Sequence, residues 1–315
     1  MIIIPHKAKQ FLLVILKLLI VTIAITYIYH ELNHKKIDWF LFSKYITWKQ
    51  CIILILFSSS NWFLEILKWQ NLVSYFKRIS ILQSLQQTLG SLTSSIFTPN
   101  RIGEYVAKAF YYPKKETKKI LFLNFISNTS QMFVTCFFGI IGIILYQLKT
   151  TQTLFWFSIK IKTTYLIVFI IITIAFFIFF KFKKIRFYGF TIQKFWSKCK
   201  RFPKTILITN FQLSILRYLI FSHQFYYLLL IFQCEINYSS ALSIIFMMYL
   251  FASILPSIHI MDVAVKGSVA VYLFGKFGIE EWKIILITFI MWFFNLVFPV
   301  LIGSYFVLQF KPKKT

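Results

Sequence analysis

Two short stretches of the chain set a carboxylate and a lysine one helical turn apart, just after a proline. The first is Thr98-Pro99-Asn100-Arg101-Ile102-Gly103-Glu104, followed by Lys108. The second is Leu255-Pro256-Ser257-Ile258-His259-Ile260-Met261-Asp262, followed by Lys266-Gly267. Residues four apart share one face of a helix, so each acid can pair its lysine. Each stretch interrupts a serine-bearing apolar run, and a proline ends a helix because it has no N–H and clashes with the preceding turn. Cations held at such a break can bind an anionic group, with the neighbouring acid tuning them. In apolar surroundings charged groups are costly and are usually kept for function. This nominates Arg101, Glu104, Lys108, Asp262 and Lys266 for an anion-binding site. Pro99, Gly103, Pro256 and Gly267 are the expected structural breaks. A plainer role for Glu104 is an acid in the first turn of a helix, where the helix dipole favours it.

The elements that carry these stretches are membrane helices. The 315 residues are 58% hydrophobic and 20% aromatic, with a mean hydropathy of +0.72. A soluble domain of this size could not bury so much apolar surface. Several runs reach the ~20 residues that a spanning helix needs. They are Phe11–Tyr29, about Trp48–Leu67, Ile120–Tyr146, Thr164–Phe180, Thr205–Phe232 and Ile284–Leu308. The alternating short strands of a barrel are absent. The net charge of +26 does not point to nucleic acid, because the lysines are dispersed over loops rather than gathered on one face. The four scattered cysteines and five dispersed histidines suggest neither a redox motif nor a metal site, and no cofactor is expected.

Loop cations orient the spans. The segment Lys181–Lys204 carries nine cations and no acid, and is read as cytoplasmic. Six spans with both termini inside leave loops assigned to the cytoplasm with 21 cations and those outside with 9. Two apolar segments, Ile79–Tyr112 and Tyr238–Gly275, then begin and end on the same side. The expected fold is an all-α polytopic membrane bundle of six full spans and two oppositely oriented re-entrant helical hairpins. The whole chain, 1–315, is one domain, with pseudo-repeat halves at about 48–146 and 205–308. Broken helices in matching positions of two halves are the mark of a transporter-type site. Eight plain spans joined by proline loops are the alternative.

Other residues join the candidate list. Arg217 lies mid-span in Thr205–Phe232 and needs an acidic or phosphate partner, for which Asp262, Glu65 and a lipid phosphate are candidates. Glu65 itself reads as a local pair with Lys68 at i+3. Polar clusters at Ser58–Asn61, Ser127–Gln131 and Ser222–Gln224, with Asn295, suit either interhelical hydrogen bonding or a hydrated groove. His223 suits a buried, satisfied histidine better than a proton relay. Lys181–Lys204 interleaves its cations with aromatics, as a helix lying on anionic headgroups would.

Pro99-Asn100-Arg101-Ile102-Gly103-Glu104 resembles the Pro-x-Arg-x-Gly-Glu motif of the lysylphosphatidylglycerol synthase transmembrane-region family, also called flippase-like domain proteins. Asp262-Val263-Ala264-Val265-Lys266-Gly267 resembles the later Gly-Val-Arg motif, with Lys266 in the arginine position, Ala264 where a glycine is usual and Gly267 where many members carry glutamate. The resemblance covers about residues 10 to 308. It implies a bundle with paired re-entrant helices that moves lipid headgroups between leaflets, as a stand-alone member without the soluble synthase domain. The resulting expectation is a flippase for an anionic phospholipid or a polyprenyl-linked lipid intermediate. It would be a multi-pass protein of the bacterial cytoplasmic (inner) membrane and not an enzyme, with substrate meeting Arg101, Arg217 and Lys266. The alternatives are a membrane-embedded transferase acting on polyprenyl phosphate and a non-transporting scaffold of an envelope-assembly complex. Self-association stays open.

Overall fold

The computed structural model describes residues 45–96, 98, 102–149, 186–187, 190–254 and 262–310, with four isolated positions at 15, 19, 22 and 26. At 149, 186–187, 190–196 and 262 it describes the backbone alone. Apart from those isolated positions, the expected spans at 11–29 and 164–180 lie outside the described residues. So do Pro99, Arg101, Pro256 and part of the basic segment 181–204.

The regular structure of the described residues is helical but for an antiparallel ribbon of two two-residue strands, Arg186–Phe187 and Phe190–Thr191. Its helices are α1 (Trp48–Val73), α2 (Ile81–Ser95), α3 (Ile102–Ala109), α4 (Thr117–Lys149), α5 (Ile192–Arg201), α6 (Lys204–Ile231), α7 (Tyr238–Ile254), α8 (Asp262–Gly275), α9 (Glu281–Trp292) and α10 (Phe298–Gln309). A π-helical turn, Phe293–Val297, joins α9 to α10 into one rod. Four rods are long and apolar enough to cross a membrane: α1, α4, α6 and α9–α10. They fall on the four expected spans among the described residues.

Local chemistry sets the ends. Ser80 Oγ accepts the Gln83 N–H and the Gln83 side chain accepts the Ser80 N–H, both at 3.2 Å, which is a reciprocal capping box at the start of α2. Thr98 Oγ1 donates to the Ser95 carbonyl at 2.7 Å and accepts the Gly103 N–H at 2.9 Å, tying the end of α2 to the start of α3. At the end of α6 the Cys234 N–H reaches the Leu229 carbonyl and the Gln233 N–H the Leu230 carbonyl, with Gln233 in the left-handed region at φ 50°. That is the geometry of a Schellman stop.

The two expected break segments are helix pairs with short arms. At a rise of 1.5 Å per residue, α2 is about 22 Å long, α3 about 12 Å, α7 about 26 Å and α8 about 21 Å, all below the ~30 Å of a hydrocarbon core. The order long, short, short, long therefore occurs twice, in α1–α4 and again from α6 to α10. Packing crosses between the two sets. α4 lies along α7, α10 lies along α2, and α1 packs against α6. Both crossing contacts rely on glycine. At Gly142 of α4 a side chain would come within 2.7 Å of the Ser243 carbonyl oxygen of α7. At Gly303 of α10 it would overlap the Leu89 carbonyl oxygen and Thr93 Oγ1 of α2. Gly303→Ala is expected to force the rod off α2 and cost about 3 kcal/mol, at the upper end of overpacking penalties. A thermal melt in detergent checks this against Gly275→Ala, where nothing stands in the way of a side chain.

Candidate functional site

Between these rods lies a cavity of about 620 Å³. Its walls come from α1, α3, α4, α6, α7, α8 and the α9–α10 rod. Trp62, Tyr105, Phe221, Tyr249 and Trp292 give it an aromatic surface. Asn61, Asn128, Gln131 and Asn295 place amides on it, and Arg217 and Lys266 face it as cations. No carboxylate is found among the described lining residues.

Arg217 is held from α1. Its Nε donates to Asn61 Oδ1 at 2.9 Å, and one terminal nitrogen donates to Glu65 Oε2 at 2.8 Å. The guanidinium also lies 5.7 Å from the Trp62 ring, within cation–π reach. Glu65 Oε2 receives a second cation, Lys68 Nζ, at 3.1 Å. Asn61, Glu65 and Lys68 stand at i, i+4 and i+7, so they fall on one stripe of α1, and all three are buried. The local pair of Glu65 with Lys68 is present, and of the candidate partners named for Arg217 it is Glu65 that the arginine meets, so the carboxylate is more than a minor local pair: it is shared by two buried cations. Its signal was present in the sequence, since Leu54, Ser58, Asn61 and Leu72 mark the same inward stripe.

The polar network continues past Asn61, whose Nδ2 donates to Asn295 Oδ1 at 2.9 Å. Asn295 in turn donates to Gln224 Oε1 at 2.9 Å. The π-helical turn places Asn295 here, and Pro299 explains why the turn needs outside help. Proline has no N–H to offer the carbonyls one turn back. The Phe294 and Asn295 carbonyls instead accept from Ser58 Oγ and from Trp62 Nε1, both on α1. Such π turns often sit at functional sites.

The first motif forms the pair that its spacing predicts. Glu104 and Lys108 form an ion pair of 2.6 Å, but the pair is buried in the packing of α3 on α1 and α4, outside the cavity lining. Lys108 Nζ also donates to Asn124 Oδ1 of α4 at 2.9 Å and lies 4.2 Å from the Trp69 ring of α1. The next residue, Tyr105, is the one that reaches the cavity, where its hydroxyl accepts from Asn128 at 3.1 Å. Gly103 has a steric reason to be glycine, since a Cβ there would stand 2.8 Å from Thr98.

In the second motif Lys266 lines the cavity, with its ammonium 5.8 Å from the Tyr249 ring. Asp262 begins α8, and its side chain is outside the described residues. Gly267 is not a break. α8 runs through it to Gly275, and a Cβ there would meet only Thr288 Oγ1 at an ordinary 3.4 Å. A helix can pass a glycine when its neighbours keep the i→i+4 bonds, at about 1 kcal/mol relative to alanine. His223 has both ring nitrogens engaged, with the Leu219 carbonyl and the Tyr238 hydroxyl at 2.8 Å each, and lies away from the cavity lining. Among the described residues no group of His, Cys, Asp and Glu is placed to hold a metal ion.

The family model of the lysylphosphatidylglycerol synthase TM region matches residues 14–303. The chain belongs to this family. Comparison with curated proteins and with solved structures gives no match. As a member of the lysylphosphatidylglycerol synthase TM region family, with four helices among the described residues long enough to span a bilayer, it is a multi-pass membrane protein with a membrane-lipid-related, flippase-like role. In this member, the arginine and lysine on the cavity wall come from α6 and α8.

Proposed function

We propose that this protein moves an anionic lipid, either a phospholipid or a polyprenyl-linked intermediate, between the leaflets of a bacterial cytoplasmic membrane. The observation that carries the reading is the cavity wall. Arg217 and Lys266 face a space with aromatic sides and amides. An anionic headgroup would be paired there, and indole and phenol rings would accept the apolar parts next to it. Arginine suits a phosphate because its planar fork can donate two parallel hydrogen bonds.

The bilayer arrangement that goes with this reading has six spans, both termini in the cytoplasm, and α2–α3 and α7–α8 entering from opposite sides. Arms shorter than a span and the twice-repeated element order support it. α5 ends in Lys198, Lys200 and Arg201, which would rest on anionic headgroups at the cytoplasmic surface. The reading assigns the residues binding and passage and needs no bond-making group.

Purified protein in phosphatidylcholine vesicles tests it. Fluorescent phosphatidylglycerol in the inner leaflet should become accessible to an external quencher much faster than in protein-free vesicles. A labelled phosphatidylcholine should lag behind. Equal rates for the two lipids would remove the anionic reading. Product made from a sugar donor and polyprenyl phosphate would replace transport with transfer.

A further inference from the structure

Glu65 sits in an arrangement that simple stabilisation does not require. One oxygen, Oε2, is shared by Arg217 at 2.8 Å and Lys68 at 3.1 Å. Lys68 is almost wholly buried at 1% exposure and Glu65 at 4%. Lys108, fixed by Glu104 and Asn124, adds its field to Glu65 from α3. Arg217 alone would neutralise the carboxylate. Bringing a second ammonium out of water to the same oxygen is costly, so the extra cation calls for a reason.

We infer that Glu65 and Lys68 form a charge-compensated cradle that positions Arg217 and lets its guanidinium exchange from Glu65 to the anionic headgroup. The inference rests on the proposed function. A buried carboxylate that lost its only cation would be left unpaired, and removing one partner of a buried pair is strongly unfavourable. With Lys68 held in place, Glu65 stays paired when Arg217 turns toward the lipid. Asn61 keeps the Nε edge of the guanidinium in register during the exchange, since its contact is separate from that of Glu65. Trp62, against which the guanidinium lies, offers a flat surface for a small rotation. Asn61, Trp62, Glu65 and Lys68 all come from consecutive turns of α1, so the cradle is one rigid element. Glu65 and Lys68 are in this sense positioning residues that set how tightly Arg217 is held back from substrate.

The cradle predicts effects of opposite sign from neighbouring changes. Lys68→Met leaves Glu65 dependent on Arg217, which then stays on the carboxylate, and binding of an anionic headgroup weakens at least tenfold. Adding Glu65→Gln to that variant removes the competing carboxylate and restores binding to within about threefold of the wild type. The measurement is calorimetric titration of short-chain phosphatidylglycerol into the purified full-length protein in detergent, with short-chain phosphatidylcholine as the neutral reference. A merely structural role would lower both affinities together and would not be relieved by the second substitution. Wild-type affinity in Lys68→Met, or a double variant no tighter than the single one, overturns the cradle. Should Lys68→Met fail to fold, the double variant alone decides: binding within threefold supports the cradle, and a tenfold loss overturns it. A wild type that does not prefer the anionic lipid would overturn the proposed function itself, and the cradle with it. Glycerol phosphate titrated in parallel separates a lipid from a free anion; equal affinity for it would keep the cradle and remove the lipid.

Discussion

Glu104→Gln produces a protein that is lost from the membrane or melts far below the wild type, before transport can be compared. Lys108 is fully buried, and its ammonium is satisfied by Glu104, by Asn124 and by the face of Trp69. Removing the carboxylate charge leaves a buried lysine without its counter-ion, which costs about 3–5 kcal/mol. The loss falls on the junction of α1, α3 and α4. Trp69 and Tyr112 are both bonded there to Gln87 of α2 at 2.7 Å, so the whole first short-helix pair is loosened. The pair can be removed as a unit at far less cost, because apolar replacement of both partners leaves no charge stranded. Glu104→Leu with Lys108→Met should therefore recover most of the lost stability. Thermal melts of the two variants check this. A stable Glu104→Gln with no transport would return Glu104 to the substrate site.

Arg217→Met gives the opposite pattern, with abundance near the wild type and exchange of anionic lipid at least tenfold slower. Lys68 remains on Glu65 in this variant, so no buried carboxylate is left unpaired. Transport suffers because the arginine wall of the cavity is gone while the aromatic wall remains. Arg217→Lys should recover part of the rate. A lysine supplies the charge, but it lacks the fork that reaches Asn61 and Glu65 from two nitrogens. The vesicle assay with phosphatidylglycerol decides it, and undiminished exchange in Arg217→Met would remove this residue from the path.

The rods were legible because a run of ~20 apolar residues has one dominant fate, and the start of α2 is written in Ser80 and Gln83. The Glu104–Lys108 pairing followed from spacing alone. Which way the pair faces did not, because Asn124 and Trp69, the groups that draw Lys108 inward, come from other helices. Glu65 was legible as one of three candidate partners for Arg217, beside its local Lys68, but the choice among them was not, because nothing local to α1 announces an arginine 152 positions later. The π turn was hidden too, since Pro299 only removes a donor, and the groups that replace it, Ser58 and Trp62, lie more than 230 residues earlier. Sequence spacing fixes pairs within a helix; the choice of cavity face belongs to contacts between helices.

The crossed seating of α4 on α7 and of α10 on α2 constrains how the molecule can change shape. A rigid body cut out by sequence, α1 to α4, would have to tear α10 from α2 and α4 from α7 before it could move. The bodies that stay intact are composite: α2 travels with α10, and α7 with α4, each joining a short helix to a rod from elsewhere in the chain. A rocking motion of the kind the proposed transport calls for would have to move such composites against each other, with α1 and α6, joined by Arg217 and Glu65, between them.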